Sequence, residues 1–173
     1  MALDVHGRTD AAVLVPLYLQ DGELHAVLTR RPDHMRRHAG EVAFPGGRQD
    51  PGEDLRTTAL REAEEEVGLP RSDVELLGAL KPVPTLATGY AIYPFVGLID
   101  PGKEWVLSPR EVEEVIEPSL TELREGYGRQ RIVRRGIPLR TDVYIVGEAF
   151  IWGATARMLT DLLERIGAVT LPG

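Results

Sequence analysis

The chain has 173 residues, of which 43% are hydrophobic and 27% charged, a composition too apolar for a disordered chain and too interrupted for a membrane protein. Its 20 basic and 27 acidic side chains leave a net charge of −7, which argues against bulk attraction to a nucleic-acid backbone. With no cysteine, disulfide scaffolds, zinc fingers and thiolate nucleophiles are excluded. The longest apolar run near the start, residues 11–19, is about half a membrane span, carries Pro16 and has no basic flank before it. These features point to a single soluble domain over 1–173, cytoplasmic, with neither membrane nor nucleic acid as partner.

In chain order, residues 11–19 form an apolar, β-branched run that reads as a buried strand. Asp21-Gly22 signals a turn, and 23–30 resumes as a second strand, completing a hairpin. Residues 31–52 turn to Arg, His, Gly and Pro without periodicity, a connection long enough to imply function. Residues 55–67 read as a helix closed by Gly68 in the left-handed cap position. Strands are expected at 74–80 and 92–99, with 82–89 as the loop between them. An acidic stretch at 111–125 carries a short helical turn after Pro118, and 131–137 with 142–146 forms a last hairpin. Residues 150–166 read as a helix with Leu159, Leu162, Leu163 and Ile166 at helical spacing. Mixed strands with two main helices suggest an α/β chain in which a sheet lies between helices.

Arginine outnumbers lysine 18 to 2 and clusters twice: Arg30, Arg31, Arg36 and Arg37, then Arg124, Arg129, Arg131, Arg134, Arg135 and Arg140. Compositional bias accounts for the overall excess. The first group has a chemical reading as well, because a planar guanidinium suits phosphate and carboxylate.

The helix at 55–67 carries the sharpest chemistry. At about 100° per residue, Glu62, Glu65 and Glu66 share one arc, while Leu55, Ala59, Ala63 and Val67 form a neighbouring apolar arc facing the core. Like charges at i, i+3 and i+4 destabilise a helix by ~0.2–0.5 kcal/mol per pair, so something should offset them. A divalent cation would do so, and oxygen-only ligands favour Mg²⁺ or Mn²⁺ over zinc. A solvated acidic face is the other reading of the helix alone.

The preceding loop decides between them. Gly47, Glu53, Arg61, Glu62, Glu65, Glu66, Gly68 and Leu69 match the pattern G-x5-E-x7-R-E-U-x-E-E-x-G-U, with Ala63 as the one small residue at an aliphatic position. The chain thereby resembles the Nudix hydrolases. That resemblance implies an α/β/α sandwich with a mixed sheet, and water attack on the phosphorus of a diphosphate joined to another group. It implies Glu62, Glu65 and Glu66 as catalytic residues and metal ligands, with the Gly46 carbonyl as a further ligand, and Glu53 with Arg61 as a brace. The proton acceptor stays open among Glu66, Glu111, Glu113 and Glu114.

Upstream, Leu28-Thr29, Arg31, Arg36, Gly40 and Phe44-Pro45-Gly46-Gly47 resemble the motif of the coenzyme A pyrophosphatase branch, with Val27 for Leu and Pro32 for Ser or Ala. Thr88-Gly89-Tyr90 and residues 150–155 resemble it too. This implies coenzyme A as the small-molecule substrate, with Arg31, Arg36, Arg30, Gly40, Phe44 and Gly47 as substrate-binding residues and a homodimer as a compatible assembly. At least two of the four clustered arginines are expected to be structural, pairing with nearby acids. His34 and His38 could assist, and Tyr90 or Trp152 could stack on adenine, although core packing also suits the two aromatic residues. Alternatives are another nucleoside diphosphate derivative such as ADP-ribose, NADH or a nucleoside triphosphate, and a non-catalytic metabolite sensor. The intact glutamate set argues against the sensor. RNA decapping is disfavoured by the absence of an aromatic-and-basic platform.

Overall fold

The computed structural model describes residues 9–35, 39–85, 89–134 and 136–167. Its centre is β1 (Thr9–Gln20), buried from Ala11 to Tyr18 without interruption. Such a run marks a strand covered on both faces. Val13, Val15 and Leu17 face one apolar cluster; Ala12, Leu14 and Tyr18 face another.

Asp21 and Gly22, at φ 52° and 79°, make the tight turn that the Asp-Gly pair predicts, leading to β2 (Glu23–Ala26). The expected single strand at 23–30 is in fact two. Val27 donates its N–H to the Pro16 carbonyl at 3.0 Å, and proline has no N–H to return, so the ladder stops there. The chain leaves the central sheet and continues as β3 (Leu28–Arg30) in a separate small sheet.

The arginine-rich stretch is also less irregular than its composition suggests. It contains β4 (Val42–Ala43), which pairs with β3, and β5 (Gly46–Arg48), which returns to β1 opposite Ala11, Ala12 and Val13. A Cβ on Gly46 would run into the Ala12 carbonyl and Val13, so this approach requires glycine.

Helix α1 (Leu55–Val67) starts at Asp54, whose side chain accepts the Thr57 N–H at 2.8 Å, and ends at Gly68 with φ 72°. Ala59, Ala63 and Val67 are fully buried against the Ala12 and Leu14 side of β1, as the apolar arc predicts. A 3-10 turn at Arg71–Asp73 leads to β6 (Glu75–Ala79). Part of the expected 82–89 loop is a strand, β7 (Val83–Thr85), which pairs with β8 (Tyr90–Leu98); residues 86–88 lie outside the described set. Strand β8 runs parallel to β1 over its whole length and joins β6 on its far edge. The central sheet is therefore mixed, in the order β2-β1-β8-β6, with β5 and β7 added at its margins.

The acidic stretch yields β9 (Glu114–Ile116), paired with β3, and α2 (Leu120–Glu125), which has a capping box between Ser119 and Glu122. The last hairpin is longer than its sequence signal: β10 (Tyr127–Arg134) pairs along its length with β11 (Ile137–Val146). Phe150 belongs to β12 (Ala149–Ile151), so α3 (Gly153–Gly167) begins three residues later than expected. Leu120, Leu123, Leu159 and Leu162 bring α2 and α3 onto the Val13 and Val15 side of β1. With α1 opposite, this is the α/β/α sandwich that the resemblance implies. Among the described residues no helix is long and apolar enough to cross a membrane.

Gly68 offers a direct test of how α1 is closed. Alanine there must hold positive φ, and its Cβ would lie 2.9 Å from that of Val106. Gly68→Ala should cost about 2 kcal/mol, seen as a lower urea midpoint with unchanged slope.

Candidate active site

The site forms where β5 and the following turn meet the exposed flank of α1. Arg61 organises it. Its Nε donates to Glu53 Oε2 at 2.8 Å and its Nη2 to Glu53 Oε1 at 3.0 Å, a forked pair across eight residues. Its Nη1 donates to Glu62 at 3.0 Å and to Glu65 at 3.3 Å, and Nη2 also reaches the Arg48 carbonyl at 3.2 Å. Glu53 accepts in addition from the buried Thr58 hydroxyl at 2.6 Å. These bonds draw its carboxyl from an ordinary 4.5 down to about 2, with Arg61 the leading cause. Loop and helix are thus fastened together by a bidentate ion pair, the geometry expected of a brace.

Glu66 is only 7% exposed, and its Oε2 accepts the Gly46 N–H at 2.8 Å. Burial pushes its carboxyl up to about 8; Glu62 and Glu111 add to the rise, while the Gly46 N–H and Arg31 oppose it. Burial likewise raises Glu62, with Arg61 opposing and Glu65 and Glu111 adding. The structure therefore holds two carboxyl groups where burial disfavours the charged form, a cost that a nearby cation would offset. A Cβ on Gly47 would lie 2.6 Å from the Glu62 carboxyl carbon, so glycine there keeps the space in which that carboxylate sits.

Oxygen donors alone fit a hard divalent cation. Among the described residues, however, no three acidic or histidine side chains converge as a ready ligand set. Glu62 and Glu65 turn to Arg61, and Glu66 to Gly46. Gly46 was expected to contribute through its carbonyl; what the structure shows is its N–H engaged with Glu66.

The arginines divide. Arg30 donates to Glu114 at 2.8 and 3.1 Å and lies 3.5 Å from Glu113, so it links β3 to β9 and has its guanidinium already occupied. Arg31 behaves differently: its Nε is buried without a hydrogen-bond partner, and its charge acts on Glu66. Arg36 and Arg37, like His38, lie outside the described residues. Gly40, at φ 68°, closes the loop by donating to the Arg31 carbonyl at 3.1 Å. Phe44, expected at the substrate, is instead 4% exposed in the core beside β1, where it seats the loop. Of the three acids considered on the 111–114 stretch, Glu113 and Glu114 face Arg30, whereas Glu111 acts on both Glu62 and Glu66.

One part of the site has no sequence signal. Val106 donates its N–H to the Val67 carbonyl at 3.0 Å, and Ser108 donates to the Glu66 carbonyl at 2.9 Å. This segment satisfies carbonyls at the end of α1 and leads directly to Glu111. Backbone donors leave no residue preference to read. Only the half-buried Trp105, packed with Leu107 against α1, hints at the contact.

A mixed sheet clasped between helices, with a glycine turn facing a glutamate-rich helix, matches the hydrolase fold that the resemblance implies. A family model described as NUDIX domain matches residues 8–135. A protein of Enterobacter sp. (strain 638), named uncharacterized Nudix hydrolase NudL, is 42% identical over 170 residues, spanning 96% of this chain and 88% of that protein. Among solved structures, the Nudix hydrolase RenU of M. smegmatis superposes with a TM-score of 0.67 at 16% identity, covering 96% of this chain and 90% of that one. The NUDIX domain of Shewanella oneidensis NrtR, solved with ADP ribose, gives 0.61 at 16% identity over 92% and 88% of the two chains. The chain belongs to the Nudix hydrolase family, enzymes that cleave diphosphate bonds and generally use divalent metal ions.

Two outcomes follow for the brace and the glycine. A carboxyl lowered on folding stabilises the protein above its ordinary 4.5, and that contribution is lost as pH falls from 4.5 towards about 2. Glu53→Gln should therefore flatten the acid limb of thermal stability measured across that window. Gly47→Ala should leave the melting temperature nearly unchanged while lowering turnover ~10²-fold by displacing Glu62.

Proposed function

We propose that this hydrolase cleaves the diphosphate of coenzyme A, its thioesters or its oxidised form, giving 4′-phosphopantetheine and adenosine 3′,5′-bisphosphate. The observation that carries the reading is Arg31: a buried guanidinium nitrogen without an acceptor, beside Glu66, at the head of the loop matching the coenzyme A branch motif. An unsatisfied buried donor is costly, and a phosphate oxygen would relieve it.

In this reading Glu62, Glu65 and Glu66, with the Gly46 carbonyl, hold Mg²⁺ or Mn²⁺. When bound, the cation neutralises the diphosphate and lowers the pKa of the attacking water. The oxygen of that water bonds to one phosphorus, the bond from that phosphorus to the bridging oxygen breaks, and the bridging oxygen leaves on the other phosphate. Glu111 or Glu66 accepts the proton in this reading, which the influence of Glu111 on both Glu62 and Glu66 supports. Gly40 closes and Gly47 opens the loop for the substrate, Arg31 and Arg36 grip its phosphates, and Glu53 with Arg61 holds loop and helix in register. The reading takes residues 1–173 as one domain acting in the cytoplasm.

ADP-ribose is the second reading. Arg30 is engaged with Glu113 and Glu114, which leaves one fewer cation for the additional ribose phosphate of coenzyme A.

Product analysis by mass spectrometry, with Mg²⁺ or Mn²⁺ and coenzyme A, ADP-ribose, NADH or a nucleoside triphosphate, separates the two. Phosphopantetheine appearing with adenosine bisphosphate is the expected result; turnover of ADP-ribose alone would discard the coenzyme A assignment. Glu66→Gln should cut turnover at least ~10²-fold with an unchanged circular-dichroism spectrum, and near-normal turnover would remove Glu66 from the mechanism.

A further inference from the structure

Arg30 stands beside Arg31 at the head of the arginine-rich loop, yet its guanidinium faces protein. Its Nε and Nη2 converge on one oxygen of Glu114 at 3.1 and 2.8 Å, and Nη2 lies 3.5 Å from Glu113. Asp33 adds to the negative charge around it. A phosphate approaching this guanidinium would meet the repulsion of those three carboxylates. Its neighbour has no such company: the Arg31 Nε is buried without an acceptor.

The backbone shows what the Arg30 pairing governs. Strands β3 and β9 pair over only three residues, from Leu28 opposite Ile116 to Arg30 opposite Glu114. One more bond closes this short ladder, from the Glu113 N–H to the Arg30 carbonyl at 2.9 Å. Just before Glu113 the chain is tied to α1 instead. The Ser108 carbonyl accepts the N–H groups of Glu111 and Val112 at 3.0 and 2.9 Å, while the Ser108 N–H donates to the Glu66 carbonyl. Residues 108–113 thus form an arch with one foot on α1 and the other on β3. Val112, 2% exposed, seats the arch in the core, and the half-buried Glu111 beside it acts on Glu62 and Glu66. The β3 foot is clasped by Arg30 with Glu113 and Glu114. Arg31 is held separately, its N–H donating to the Glu41 carbonyl at 2.9 Å and its carbonyl accepting from Gly40 at 3.1 Å.

We propose, on the reading in which Glu111 accepts the proton of the attacking water, that Arg30 is a positioning residue for the hydrolysis. Through Glu113 and Glu114 it sets the β3 foot of the arch and so fixes Glu111 against the glutamates of α1. Reaction rate depends steeply on such placement, because a proton acceptor must lie within hydrogen-bond reach of the proton it takes. Releasing the clasp frees Glu111 and leaves Arg31 in its own bonds, so turnover suffers and substrate binding does not. Adjacent arginines of one motif therefore divide the work: Arg31 meets the substrate, and Arg30 meets the strand that carries its counterpart.

Steady-state kinetics of the whole chain with Mg²⁺ test this on coenzyme A, or on ADP-ribose where that is the diphosphate the wild-type chain cleaves. Arg30→Gln should lower kcat ~10-fold with KM changed less than about twofold. Its melting temperature should barely move, since an exposed ion pair adds little to global stability. Arg30→Glu should fall at least as far, and Arg30→Glu combined with Glu114→Arg should recover most of the lost kcat, which neither a phosphate contact nor misfolding would produce. Glu111→Gln should lower kcat ~10²-fold, and adding Arg30→Gln to it should reduce kcat little further, because both act through one carboxylate. A raised KM in Arg30→Gln, a swap that recovers nothing, or losses that multiply in the double variant overturns the proposal. Near-normal kcat in Glu111→Gln removes Glu111 as proton acceptor and overturns it together with that reading. Loss in Glu111→Gln beside an unaffected Arg30→Gln overturns the positioning role alone.

Discussion

A single guanidinium, that of Arg61, holds together a loop and a helix that would otherwise repel each other. Asp50, Glu53, Glu62 and Glu65 all lie within 3.4 Å of it. Without that charge the carboxylates would disperse, and the turn carrying Gly46 and Gly47 would lose its footing on α1. The fork geometry matters as much as the charge. Lysine could neutralise one acid at a time, but it cannot donate two parallel bonds to Glu53 while reaching Glu62 and Glu65.

This arrangement accounts for the contrast between the glutamates. Glu53 is satisfied by donors, and its carboxyl sits low. Glu66 is satisfied by one backbone N–H within a buried wall, and its carboxyl sits high. Two carboxylates of the same type have been sorted by environment into one held charged and one pushed towards its neutral form. A cation brought to the second would favour its charged form, which Arg61 already does for the first.

Much of this was legible in the sequence because it is local. The spacing from Gly47 to Leu69 fixes which side chains share a helix face, and Gly68 ends that helix by a cap that follows from residue type. What escaped is long-range. The partner of Arg30 lies 84 residues away, and nothing near Arg30 distinguishes it from Arg31. Phe44 reads as part of a binding motif, and only the assembled core, with Val13 and Val15 from a distant strand, reveals its burial. The clamp at Val106 and Ser108 is made of backbone groups, which every residue but proline supplies alike. The break after Ala26 depended on knowing that Pro16 would stand opposite Val27, a fact of register rather than of either segment.

That proline has one more consequence. By ending the β1–β2 ladder it leaves the other half of the same edge of β1 to β5, so two unrelated segments share one rail. A slip by one residue would exchange Val13, Val15 and Leu17 with Ala12, Leu14 and Tyr18, reversing both apolar faces at once. The hairpin holds the rail at one end and the Gly46 turn grips it at the other. The placement of Gly46 against Glu66 therefore inherits its accuracy from the core strand: the turn is indexed by β1 and not by the segment that leads into it.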